Sequence, residues 1–117
     1  MPPADPNYEA RVRFRADLTQ QHGFLHAGVV TSVIDSACGY AALTLMPPDR
    51  AVLSVEFKVN LLAPAQASAF EARGRVVRAG RTLTVCTGEL RAVGSESVVA
   101  LMQATMMAVE GRTRSND

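Results

Sequence analysis

Asp35 is the only charged residue between His26 and Met46. Around it stand apolar residues, glycines, small hydroxyl residues and one tyrosine. At helical spacing Gly28, Ser32, Asp35, Ser36 and Gly39 form one small, polar stripe. Val29, Val33, Ala37, Tyr40 and Thr44 form a bulkier one beside it. Aspartate is a poor residue for a helix interior, because its side chain competes for local backbone hydrogen bonds. Burying it without a partner costs several kcal/mol or forces it to take up a proton. One reading is a structural Asp held by a neighbouring loop. The other is chemical: a desolvated carboxylate beside a groove of small residues is a stronger base or nucleophile than one in water.

Other residues able to do chemistry are few. His22 and His26 precede Asp35 and invite a metal reading. A loop glycine, Gly23, follows the first His, and we expect no metal and no cofactor. No Gly-x-Ser-x-Gly is present, which argues against a serine triad. Cys38 and Cys86 have neither zinc nor redox spacing and read as buried, reduced thiols. Arg73, Arg75, Arg78 and Arg81 cluster about Ala79-Gly80, either as a solvated hairpin or as a phosphate contact.

The elements that must position these groups follow from periodicity. Residues 10–16 alternate and read as a half-buried strand, residues 19–28 as a loop. A helix is expected from about His26 to Leu45, stopped by Pro47 and Pro48 and buried nearly all round. The bulkier stripe suits packing on a sheet. Residues 51–61 alternate Leu53, Val55, Phe57, Val59 and Leu61 against Ser54, Glu56, Lys58 and Asn60. Further strands are expected at 68–78, 82–92 and 97–109, with turns at Ala79-Gly80 and Gly94-Ser95. The last strand is apolar on both faces, so it should be central and covered on both sides. One helix covers one face, and the other face asks for a partner subunit. The class is α+β, a helix packed on an antiparallel sheet.

The chain has 117 residues, 48% of them apolar, and a formal net charge of +1. One domain over 1–117 is expected, with an ordered core of about 8–110 and short flexible ends. Near-neutral charge argues against a nucleic-acid or anionic-membrane partner. The first ten residues lack the pattern of a secretory signal, and a central Asp disfavours a membrane span. Cytoplasmic localisation is expected.

The segment His22-Gly-Phe-Leu-His-Ala-Gly-Val-Val-Thr-Ser-Val-Ile-Asp35 resembles the signature of hotdog-fold thioesterases of the phenylacetic-acid-degradation type. Their pattern is a Gly shortly before a His-Gly-Gly, then an acidic residue nine positions after the His. Gly23, His26, Gly28 and Asp35 match. Ser54 and Pro64 match a second feature, a Ser ten residues before a Pro. Two departures are Ala27 for the first Gly, and Gln20 where the family often has Asn.

The resemblance implies a hotdog fold: a curved antiparallel sheet of five or six strands wrapped around one long helix. It implies hydrolysis of acyl-CoA thioesters by a dimer, or a dimer of dimers, with active sites at the subunit interface. Asp35 would be general base or nucleophile, and the Ala27 N–H would polarise the thioester carbonyl at the helix N-terminus. Gln20 would orient the carbonyl or water. Ser54 would position the water, or the carboxylate of the other subunit. His26, Gly28, Arg78 and Arg81 would contact substrate, the arginines at the CoA phosphates. The alternatives are a hotdog dehydratase or hydratase, whose usual His spacing and helix start fit less well, and a non-catalytic acyl-CoA-binding module. One conflict is built in: strict alternation sets Ser54 opposite Leu53, Val55 and Phe57, so it reaches a site only at a subunit interface or through a local bulge.

Overall fold

The computed structural model describes residues 9–15, 20–21 and 24–111. The N-terminal flexible end expected ahead of the core, and His22 and Gly23, lie outside the described residues. In chain order the elements are β1 (Glu9–Arg15), β2 (Gln20–Gln21), β3 (Phe24–Leu25), α1 (Ala27–Leu43), β4 (Arg50–Leu61), β5 (Ala69–Ala79), β6 (Leu83–Ala92) and β7 (Val98–Glu110). Five strands form one antiparallel sheet in the order β1-β5-β6-β7-β4. β5, β6 and β7 are joined by short turns, whereas β4 lies at the far edge, paired among the described residues with β7 alone. The expected loop before the helix contains a two-stranded hairpin, β2–β3.

The inner face of the sheet carries Phe70, Ala72, Gly74 and Val76 from β5, then Thr84, Cys86, Gly88 and Leu90 from β6. From β7 come Ala100, Met102, Ala104 and Met106. Against them α1 buries Val30, Ile34, Ala37, Cys38, Ala41 and Ala42. That is helical spacing, and it follows only part of the bulkier stripe expected to pack: Ala37 is buried and Val29 and Val33 lie half-buried against the core, but Tyr40 is 57% exposed and Thr44 is also exposed. The reason is the size of the residues at the contact. A Cβ on Gly74 would collide with the Ala37 backbone, and one on Gly88 with Ile34 and Cys38. These glycines let the helix backbone settle close to β5 and β6, so the alanines and Cys38 turn inward. The helix is not buried all round; Ser32, Ser36, Tyr40 and Leu43 are exposed in the single chain.

The helix starts at its cap. His26 has extended backbone (φ −66°, ψ 140°) and its Nδ1 accepts from the Gly28 N–H at 3.0 Å. At the other end the helix stops at Leu43, two residues before the expected end, with the Thr44 N–H still donating to the Tyr40 carbonyl at 3.3 Å. Leu45 and Met46 N–H groups bond three residues back, to Ala42 and Leu43, tightening the last turn ahead of Pro47.

Cys38 and Cys86 are free thiols, fully buried between helix and sheet. Their mutual hydrogen bond, then burial, pushes the Cys38 thiol up, while accepting that bond draws Cys86 down. Cys86 Sγ also lies 3.6 Å from the Cys38 carbonyl oxygen.

Candidate active site

Asp35 lies on the side of α1 that faces β4. Ser54 Oγ donates to Asp35 Oδ1 at 2.8 Å, within one chain, and sits 3.3 Å from Met106 Sδ. The carboxylate is half-buried and bonded by a neutral donor, leaving Oδ2 for another partner.

Ser54 reaches Asp35 through a break in the strand. It pairs with inward-facing Met106, but the register slips between Ser54 and Glu56, leaving Val55 as an extra residue. Below this bulge Val52 and Ser54 face the helix; above it Phe57, Val59 and Leu61 do. The single alternating face expected over 51–61 is therefore two half-faces joined at Val55, and Leu53 points to the outer side. No glycine or proline marks the bulge.

Phe57 and Leu61, although on the inner face, stay about half exposed, because the helix does not cover the edge strand. They leave an uncovered apolar strip, a shallow groove, along the edge strand next to α1. The groove ends in an apolar cavity of about 540 Å³ lined by Leu25, Ala27, Val30, Leu61, Leu62 and Val99 among others.

At that end lies the helix N-terminus. Gly28 N–H is taken by His26 Nδ1, and the Val29 and Val30 N–H groups by the His26 carbonyl, at 3.0 and 3.1 Å. The Ala27 N–H is the donor of the first turn that has no partner among the described residues. Such a donor, at the positive end of the helix dipole, suits an oxyanion.

Asp35 stands eight residues after Ala27, about 12 Å along the axis at 1.5 Å per residue. Within one chain the Ala27 N–H and the Asp35 carboxylate therefore occupy different ends of the groove. The same spacing keeps His26 from sharing a metal with Asp35, and no cluster of three or more metal-ligating side chains occurs among the described residues.

The remaining expected residues are spread out. Gln20 pairs through its backbone with Leu25 in the hairpin that leads into α1. The Leu25 N–H in turn bonds the Ala65 carbonyl at 2.7 Å, tying the hairpin to the β4–β5 connection. Arg78 is exposed opposite Val85, on the outer face of the sheet, and Arg81 is exposed in the β5–β6 turn. Ser54, Met106, Thr84 and Ala79 form one row across four strands. That places the turn about 14 Å from Ser54, so neither arginine touches the Asp35–Ser54 pair. Met106 and the Val55 bulge are parts of the site that sequence reasoning missed. The one hint of the bulge was the conflict between Ser54 and the alternating face.

Residues 22–99 match the thioesterase superfamily, and the chain belongs to that family. The fold is the hotdog fold expected from the resemblance. A thioesterase family protein from Silicibacter pomeroyi is 50% identical in sequence and superposes with a TM-score of 0.83, over 93% of this chain and 83% of that one. The esterase-named protein SSO2140 of Saccharolobus solfataricus is 34% identical over 68% of this chain and 56% of its own length. This chain spans about half the length of the curated relatives it matches. A Streptococcus mutans protein bound to acetyl CoA shares the fold, with a TM-score of 0.78 at 19% identity, over 94% of this chain and 88% of that one. No helix among the described residues is long and apolar enough to cross a membrane.

Proposed function

We propose that this protein hydrolyses acyl-CoA thioesters to a free acid and CoA, with Asp35 as the general base. The observation that carries the reading is the pairing of Asp35 with Ser54 at the edge of an apolar groove, in a chain of the thioesterase superfamily. Ser54 holds Oδ1, and Oδ2 takes a proton from water as that water attacks the thioester carbon. Negative charge then builds on the carbonyl oxygen, where the Ala27 N–H receives it. Collapse of the tetrahedral intermediate breaks the carbon–sulfur bond, and the proton held by Asp35 passes to the departing sulfur. In this reading Gln20 orients the carbonyl or the water, His26 contacts the substrate, Gly28 leaves room for close approach, and the apolar cavity beside Ala27 suits the acyl group. The fold is one that carries acetyl CoA in the Streptococcus mutans protein, which favours CoA as the thiol. Arg78 and Arg81 serve the CoA phosphates. The reaction needs no cofactor, and the cytoplasm, where acyl-CoA is made and used, is the compartment it fits.

The separation of Ala27 from Asp35 favours a site built by two copies of the chain. A water held by the carboxylate and a carbonyl held by the N–H must lie within about 3 Å of each other. One helix spaces them too widely, whereas Ala27 of one copy and Asp35 of another can meet. Edge strand β4 fits such an assembly. Among the described residues its outer edge carries no strand partner, and Val55, Phe57 and Leu61 of β4 are exposed, as are Tyr40 and Leu43 of α1. A homodimer, or a dimer of dimers, covers them.

The test is thiol release from a panel of acyl-CoAs by the wild type and by Asp35→Ala. We expect turnover to drop by about three orders of magnitude or more, with the far-ultraviolet circular dichroism unchanged. Hydrolysis of the best substrate by the variant at the wild-type rate would overturn the reading. Tight acyl-CoA binding without hydrolysis by the wild type would replace it with a binding role.

A further inference from the structure

The outer face of the sheet, across from Asp35, holds a second concavity that the proposed reaction does not use. Its volume is about 450 Å³. Its floor is one register row: Lys58 of β4, Gln103 of β7, Thr87 of β6 and Arg75 of β5, ending at Glu9 of β1 opposite Arg75. Neighbouring strands lie about 4.8 Å apart, so Lys58 and Arg75 stand roughly 14 Å from each other at their Cα atoms. That span lets two long cationic side chains lean in over the neutral Gln103 and Thr87. The next row places Asn60, Leu101, Glu89 and Arg73 beside them, and all four line the same cavity.

The charges there do not balance. Lys58, Arg73, Arg75 and Arg91 line the cavity with Glu9 and Glu89; Arg73 and Arg91 also pair with Glu71 at 3.9 Å and Glu96 at 3.0 Å, so the excess lies with Lys58 and Arg75. Glu89 is engaged by Arg91 at 2.7 Å and by Arg73 at 3.8 Å, and Glu9 lies 3.5 Å from Arg11 and 3.7 Å from Arg73. Lys58 and Arg75 form no ion pair or hydrogen bond among the described residues. The Arg73 Nε–H is buried and without a hydrogen-bond acceptor, its nearest carboxylate oxygen being the one on Glu9. Leu101, 43% exposed, adds an apolar wall on the same side.

From this arrangement we propose that the outer sheet face is a binding site for a phosphorylated ligand of nucleotide size. Its phosphate is held between Lys58 and Arg75 over Thr87 and Gln103, and its flat apolar portion lies toward Leu101. The site is separated from the Asp35 groove by the sheet itself. Arg78 lies one register row from Arg75 on the same face, so only the CoA source of the ligand rests on the proposed hydrolysis, and the ADP titration does not.

The same chemistry is offered by a free nucleotide and by the nucleotide end of CoA, so the full chain is titrated calorimetrically with ADP and, separately, with CoA. Wild type should bind ADP, with affinity falling as salt rises from about 50 to about 200 mM, because the contacts are charge pairs. In Lys58→Gln/Arg75→Gln, affinity should drop about 100-fold through loss of two charge-assisted contacts. Asp35→Asn should bind ADP as wild type does, which keeps this test apart from the hydrolysis assay. If CoA alone binds, and the double variant weakens it equally, the ligand is the nucleotide end of CoA. Binding of neither probe by the wild type, equal affinity in the wild type and the double variant, or affinity indifferent to salt overturns the proposal. The salt series on wild type stands even where the double variant folds poorly.

Discussion

Ser54 and Asp35 are joined by a 2.8 Å hydrogen bond that exists because Val55 interrupts the pairing of β4 with β7. Inward facing of Ser54 and of Phe57, three residues later, is incompatible with strict alternation, in which residues an odd number apart face opposite sides. The extra residue resolves it, keeping Ser54 on the carboxylate and Phe57 on the groove floor. Bulges are frequent beside sites where a side chain must be re-aimed.

Ser54→Ala removes that bond and leaves Oδ1 to solvent. Hydrogen bonds to charged groups contribute about 1.5–3 kcal/mol, so we expect thioester turnover to fall by about 10- to 100-fold. Ser54 is exposed, so stability should change by less than about 1 kcal/mol. Steady-state hydrolysis and a urea melt measure the two effects, and an unchanged turnover would remove Ser54 from the site.

Ala27→Pro deletes one donor and little else. Proline is favoured at the first helical position, where its fixed φ suits the helix. The preceding His26 already has the extended conformation that a following proline requires. Loss of one oxyanion donor costs about 10²- to 10³-fold in turnover, and Ala27→Gly should stay within a few-fold of wild type. Wild-type turnover in Ala27→Pro would place the oxyanion elsewhere.

Mixing two inactive chains tests whether the site is shared. If Asp35 of one copy works with Ala27 of the other, a dimer of one Asp35→Asn chain and one Ala27→Pro chain holds one intact site and one doubly damaged site. Random reassociation of equal amounts should then recover about a quarter of wild-type activity, since half the dimers are mixed and each has one working site. Recovery absent from a sample shown by mass spectrometry to contain mixed dimers would put both groups in one chain.

Gly74 and Gly39 should respond in opposite directions to alanine. At Gly74 the new Cβ meets the Ala37 backbone, which cannot swing aside. Pushing the helix off the sheet should cost about 2 kcal/mol or more. At Gly39 the Cβ makes ordinary contact with Val52 Cγ1 at 3.8 Å, and the lower chain entropy of alanine should add about 0.5–1 kcal/mol. Thermal melts of both variants check this.

The long strands and the helix were legible in the sequence, and Asp35 stood out in it. Long alternating runs and a charge-poor stretch bounded by prolines specify strands and a helix through local patterns, which a linear chain displays directly. Asp35 was conspicuous for the same reason, as one charge among apolar neighbours. Tertiary structure alone decided which face of the helix is buried, because the close approach depends on Gly74 and Gly88 of two other strands. It also decided that β4 sits at the sheet edge, leaving Phe57 and Leu61 uncovered beside the groove. Ser54 shows the division most clearly. Its period-two position pointed it away from Asp35, and only pairing with β7, some fifty residues downstream, set the bulge that turned it back. A register shift is a property of two strands, so one strand's pattern does not contain it.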